Sequence, residues 1–369
     1  MPVPPAEVRP SDARPESSPP LRLGIAGCLA GRIRYGAALA AASSVSVVGL
    51  ADTDLHSARI WAREIGGAIP QFAAPDALLA AVPDLDALLI VSALPDRPAH
   101  ITAALHAHKA VLCEVPFAPT LADTDAILRL AADRGFLLMP ALPHRFDATF
   151  LEVAGRMEAG ELGAVRQLRC VWSFPVSGTF ALESGVDVQE AEWNSLLQAL
   201  ACQTADVCCW WLGEAASISA DGFTSETDGQ DAAAGAQAHI ILTQERGRST
   251  LHFSRSRSQQ PGERYTLDGA QGHLDLTVRA GASSSPAPLL LWQRPGRRPE
   301  RIHAPHFPAT PRMAHVAQIR DLLEHFAACV RAGAAPRLTG ADARAVQEIV
   351  YAASLSTQEG SKVTLPVKG

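Results

Sequence analysis

The sequence predicts an α/β chain: a doubly wound parallel sheet, then an α+β unit with a large open, mostly antiparallel sheet. Three observations carry this. From Leu21 to Pro140, short unbroken apolar runs alternate with longer Ala-rich amphipathic ones, as in a parallel sheet with helices on both faces. After Asp147 the alternation becomes two-residue, as in an antiparallel sheet with one face on helices and one free. The 369 residues, 47% hydrophobic and 19% charged, suffice for two cores of ordinary globular composition.

The Pro-, Ser- and Arg-rich first twenty residues read as a disordered tail ending at Pro20. In the first unit, 21–146, strands are expected at Leu21 to Ala26, Val45 to Ala51, Ala87 to Ser92, Lys109 to Cys113 and Phe136 to Met139. Helices fall between them at Arg32 to Ala42, Leu55 to Ile65, Ala99 to His106 and Leu121 to Asp133, the last opened by Thr120 and ended by Gly135. The second unit, 147–369, opens with a helix at Ala148 to Ala159, a strand at Val165 to Phe174 and a helix near Ser195 to Leu212. Strands follow at Ser217 to Phe223, Ala236 to Thr243, Ser249 to Arg255, His273 to Arg279 and Leu289 to Trp292. Helices at His315 to Ala332 and Ala341 to Ser356 and a strand at Val363 to Pro366 end the chain.

Composition narrows the function. A net charge of -6 argues against nucleic acid as a partner. No apolar run reaches the ~20 residues of a membrane span; Asp76 to Leu94 is broken by Pro83, Asp84 and Asp86. Seven scattered cysteines make no disulfide framework and suit a reducing cytoplasm. No zinc spacing exists, and the adjacent Cys208 and Cys209 read as inert core thiols, so no metal is expected. Lysine occurs only at Lys109, Lys362 and Lys368. Arginine cannot replace it as an acid or base.

The first strand runs into Gly27-Cys28-Leu29-Ala30-Gly31-Arg32. A dinucleotide fingerprint wants glycine at the first, third and sixth positions. Gly27 fits, Leu29 and Arg32 replace the others, and Gly31 comes one residue early. Arg32 would either clash with a phosphate or face it as a cation. Asp52 ends the second strand, where an acid accepts ribose hydroxyls and favours NAD over NADP. It would serve equally as the cap of the next helix.

At these residues the chain resembles the Gfo/Idh/MocA oxidoreductases. The marks are the Gly27 turn, Ala51-Asp52-Thr53-Asp54, Ser92 before Pro95, Cys113-Glu114-Val115-Pro116 and His144-Arg145-Phe146-Asp147. Gly160-Glu161-Leu162-Gly163, Trp211-Leu212-Gly213-Glu214 and Val363-Thr364-Leu365-Pro366 follow in the family's order. The resemblance implies an N-terminal Rossmann domain and a C-terminal domain whose open sheet often pairs copies into a homo-oligomer. It implies NAD or NADP in the cleft between them, with sugars, cyclitols and related alcohols or carbonyls as substrates. It carries cofactor contact to Gly27, Cys28, Leu29, Ala30, Asp52, Ser92, Leu94, Glu114 and Val115.

The pattern departs where chemistry would be done. The family's Glu-Lys-Pro reads Glu114-Val115-Pro116, and its Asp-x-Gly-x-His-x-x-Asp reads from Ala199 through Gln203 to Asp206. Lysine, aspartate and histidine are thereby replaced by Val115, Ala199 and Gln203. Its Thr-Pro-x-x-x-His stretch becomes Ser92 to Arg97, without the histidine. Losing one acid or base typically costs ~10²–10⁴-fold, and an apolar pocket leaves a polyol's hydroxyls unpaired.

Remaining candidates are His144, Gln203 and Asp206 for catalysis and Arg145, Glu192 and Trp193 for substrate, each with a structural reading beside it. His144 serves as a loop hydrogen-bonder, Arg145 as an ion-pair partner, Asp206 as a buried structural acid. Glu190, Glu192 and Trp193 read equally as a solvated helix start, and Tyr35 as packing. Three functions stay open. The first is a redox enzyme whose proton donor is His144, Asp206 or Glu192. The second is a non-redox cyclase, lyase or isomerase that keeps or loses the nucleotide. The third is a non-catalytic binding protein.

Overall fold

The computed structural model describes residues 19–66, 68–174, 193–222, 237–255, 262–278, 289–302, 308 and 310–367. The expected tail, save Pro19 and Pro20, lies outside these residues, as do Glu190 and Glu192.

The first unit holds β1 (Leu21–Ala26), α1 (Cys28–Ala41), β2 (Val45–Ala51), α2 (Leu55–Ile65), β3 (Gln71–Phe72), α3 (Pro75–Ala81) and β4 (Ala87–Ile90). It continues through α4 (Arg97–His106), β5 (Ala110–Glu114), α5 (Leu121–Arg134) and β6 (Leu138–Ala141). The six strands are parallel in the order β3-β2-β1-β4-β5-β6. The order reverses between β1 and β4, the switch point where open α/β sheets leave a ligand crevice. The apolar runs Ala87–Ile90 and Ala110–Glu114 are buried throughout, as strands covered on both faces must be. α1 starts at Cys28 rather than Arg32, directly after the turn at Gly27. β3 and α3 escape sequence reading because two residues have no period and α3 spans only two turns.

The second unit opens with α6 (Ala148–Glu158), β7 (Val165–Phe174), α7 (Trp193–Leu212) and β8 (Ala215–Asp221). There follow β9 (Gln237–Gln244), β10 (Arg248–Arg255), β11 (Gly262–Gly269), β12 (His273–Val278), β13 (Leu289–Gln293) and β14 (Glu300–Arg301). α8 (Pro311–Ala332), α9 (Gly340–Glu359) and β15 (Val363–Thr364) close the chain. Nine strands form one sheet, β14-β13-β12-β11-β7-β10-β9-β8-β15. Among the described strands of this sheet only the central β7–β10 pair is parallel. β11 and the two-residue β14 are the strands of this sheet that sequence reading omits, and β11 is the substantial one. Its inward positions are Glu263, Tyr265 and Leu267, and the acid at the first breaks the apolar alternation.

One face of this sheet is sealed, with Leu168, Cys170, Leu251, Phe253 and Leu267 essentially buried. The other carries Arg169, Val171, His239, Ile241, His252 and Arg264. Val171 is 37% and Ile241 44% exposed. α8 and α9 tie the two units together. Glu324 of α8 accepts the Ser43 and Ser44 N–H groups at 2.6 and 3.2 Å. Buried Gln347 of α9 accepts from Thr124 of α5 at 2.6 Å and donates to the Ala118 carbonyl at 2.8 Å.

Candidate active site

A crevice of about 680 Å³ opens beyond the carboxyl ends of β1, β2, β4 and β5. Asp52, Ala73 and Pro75 line one end. Gly27, Leu29, Ala30, Ser92 and Leu94 line the middle. Arg34, Glu114, Val115 and Ala199 of α7 line the other.

Gly27 makes the turn into α1 with φ 98°, and a β-carbon there would stand 2.6 Å from the Ser92 nitrogen and the Val91 carbonyl carbon. No other residue fits that conformation and that gap. The first-turn amides of Leu29 and Ala30 have no acceptor within the helix and face an anion-binding position. Gly31, one place early for the fingerprint, takes over close packing: its β-carbon would meet the Trp61 ring at 2.8 Å. Leu29, in the fingerprint's second glycine position, is 57% exposed at the crevice. Arg32 faces no phosphate position. It pairs with Glu64 of α2 at 2.8 Å.

Asp52 accepts the Cys28 and Asp54 N–H groups at 2.5 and 2.8 Å. Capping of α2 falls instead to Asp54, which accepts from the His56 and Ser57 amides. Cys28 is fully buried and presents no side chain to the crevice; burial, with Asp52 and Asp54 nearby, pushes its thiol up to about 12.

Ser92 bonds His100 at 2.9 Å. His100 lines the crevice, so an imidazole absent from the Ser92–Arg97 stretch enters three residues later, on the same helical face as Arg97. Burial lowers its pKa, so it is neutral at neutral pH. Its bond to Ser92 sets it beside the middle of the crevice.

Glu114 closes the far end. Its Oε1 accepts from Arg34, and from the Tyr35 hydroxyl at 3.4 Å; its Oε2 faces Arg97 at 3.3 Å. Val115, 2% exposed, gives that end an apolar wall. Gln203 is half-buried one turn beyond Ala199 and does not line the crevice.

The other expected site residues stand apart from it. Arg145 grips buried Asp206 with two bonds of 2.8 Å and lies over the Trp210 ring at 5.0 Å. His144 is buried against Phe150 and bonded through Nε2 to Glu263 at 3.2 Å. Burial lowers its pKa, but the Glu263 charge and hydrogen bond outweigh this and leave it raised. Neither His144 nor Asp206 reaches the crevice. Glu192 lies outside the described residues, and Trp193 begins α7. Among the described residues no three His, Cys, Asp or Glu side chains converge to hold a metal, and no helix is long and apolar enough to cross a membrane.

Comparison with known proteins agrees with this geometry. Residues 21–142 match the oxidoreductase-family NAD-binding Rossmann model of Gfo/Idh/MocA, and residues 150–275 match the GFO/IDH/MocA C-terminal domain. The chain belongs to the Gfo/Idh/MocA oxidoreductase family. D-apiose dehydrogenase of Paraburkholderia graminis is 25% identical over 334 residues, 86% of this chain and 83% of that one. Scyllo-inositol dehydrogenase of Lactobacillus casei, solved with NAD(H) and scyllo-inositol, superposes with TM-score 0.74 at 17% identity, covering 94% of this chain and all (100%) of that one. An Agrobacterium radiobacter oxidoreductase, solved with NAD+, L-tartaric acid and magnesium, gives 0.73 at 18% identity, over 93% and 98%.

The crevice fits a dinucleotide. The Gly27 turn leaves no room for a side chain, the Leu29 and Ala30 amides would be free to hold a pyrophosphate, and Asp52 lines the crevice at the end of β2, where it would accept a ribose hydroxyl.

Proposed function

We propose that the chain is an NAD(H)-dependent oxidoreductase acting on a small hydroxy or carbonyl compound of the sugar, cyclitol or secondary-metabolite kind. One observation carries this reading: the Gly27 turn, the Asp52 carboxylate and the Val115–Ala199 wall line a single crevice. A nicotinamide nucleotide bound there supplies or accepts a hydride. The Leu29 and Ala30 amides hold its pyrophosphate, and the negative charge of Asp52 disfavours the extra phosphate of NADP. Val115 and Ala199 exclude water from the far end, and the pinned Glu114 orients polar groups there.

The proton path is rearranged. Lys109, beside the first sheet, donates to the Pro83 carbonyl at 2.9 Å and lines no part of the crevice. A second reading, a non-redox enzyme or binding protein on the same scaffold, is favoured by the sealing of His144 against Glu263 and Asp206 against Arg145. Deuterium-labelled NADH separates the two. With a panel of sugar and cyclitol ketones, label recovered on the product's new carbinol carbon supports the redox reading. NADH binding without transfer to any member selects the second. We place the protein in the cytoplasm as a homo-oligomer paired through the open face carrying Val171 and Ile241, with units meeting near residue 146. Light scattering showing a monomer at micromolar concentration would remove the pairing.

A further inference from the structure

We infer that Arg34 makes the far end of the crevice a carboxylate-binding subsite, so that the substrate carries a carboxylate. This rests on the nicotinamide-nucleotide reading above. Two guanidiniums face the single carboxylate of Glu114: Arg34 on Oε1 and Arg97 on Oε2. One positive charge is left over, beside the apolar Val115 and Ala199. An excess charge in such surroundings is costly until an opposite charge joins it.

The two arginines differ in what they have left to give. Arg97 is committed on every nitrogen: Nε to the Ser92 carbonyl at 2.9 Å, Nη1 to the Glu114 and Pro116 carbonyls at 3.3 and 2.8 Å, and Nη2 to Glu114 at 3.3 Å. It is framework. Arg34 lines the crevice with a side chain 17% exposed, and its bond to Glu114 uses Nη1 alone. Among the described residues no other acceptor takes its side-chain hydrogens. Nε and Nη2 together form the fork that matches a carboxylate with two parallel bonds.

Position separates this anion from the nucleotide's own phosphates. Arg34 lies seven residues past Gly27 along α1, or about 10 Å at 1.5 Å per residue. The pyrophosphate belongs at the helix start. Arg34 shares its end of the crevice with Val115 and Ala199, opposite Asp52.

The test uses matched probes, gluconate against sorbitol and lactate against propylene glycol. Each is titrated calorimetrically into the full chain with and without NADH. The carboxylate of a pair is expected to bind about ten- to a hundredfold tighter than its neutral match, the scale of charge-assisted hydrogen bonds. Arg34→Gln should abolish that preference while leaving NADH affinity within about twofold. Arg34→Lys, which keeps the charge beside Glu114 but not the fork, should fall between and covers the case in which Arg34→Gln does not fold. Equal binding within both pairs, no binding of any probe, or an unchanged preference in both variants overturns the proposal. A parallel loss of NADH affinity also overturns it, because the anion held is then a nucleotide phosphate. If the wild type ignores NADH, the redox reading fails by itself, and the titrations without nucleotide still decide the subsite.

Discussion

The Asp52 carboxylate accepts the Cys28 backbone N–H at 2.5 Å. The end of β2 is thereby tied to the start of α1, and an anion sits at the positive end of that helix. Asp52→Ala should remove both the helix-end anion and the ribose acceptor. We expect a stability loss of about 1 kcal/mol and a drop of about tenfold or more in NADH affinity. The NADH-over-NADPH preference should shrink with it, read from fluorescence titrations with both nucleotides.

Leu29 predicts a change of the opposite sign. Its side chain is 57% exposed where backbone meets pyrophosphate. Leu29→Gly should strengthen NADH binding severalfold at a stability cost of no more than about 1 kcal/mol from helix propensity. Weaker binding in this variant would show that the leucine contacts the nucleotide favourably.

Gly27 tolerates nothing larger. Gly27→Ala places a β-carbon 2.6 Å from the backbone of Val91 and Ser92 at a φ of 98°. The backbone must shift, so a loss on the order of 2–4 kcal/mol is expected. Chemical denaturation measures it, and nucleotide binding should fail in the same variant.

The His144–Glu263 pair predicts a pH dependence of stability. The folded pKa of His144 is raised above the unfolded value of about 6.5. The pair's contribution is therefore complete below about 6.5 and fades as pH rises through the folded pKa. Urea midpoints should fall over that window, and Glu263→Gln should flatten that part of the profile. A wild-type profile that is level from pH 6.5 upward would contradict the assignment.

Much of the first sheet was legible because buried parallel strands such as Ala87–Ile90 are unbroken apolar runs. Gly27 and Asp52 were legible too, since a turn glycine and a strand-end acid have local signatures. What sequence hid was long-range pairing. Nothing near Arg34 shows that Glu114, 80 positions on, will hold it. Nothing near His144 shows that Glu263, 119 positions on, will seal it in the core. The same Glu263 masked β11 by placing an acid at an inward position. Asp52 and Asp54 are two residues apart, and only geometry divides their tasks between α1 and α2.

The most direct measurement is a fluorescence titration of the unmodified protein with NADH. Saturable binding well below millimolar, tighter than for NADPH and weakened by Asp52→Ala, is the predicted result. No binding up to millimolar NADH would contradict the reading of the Gly27–Asp52 crevice as a dinucleotide site.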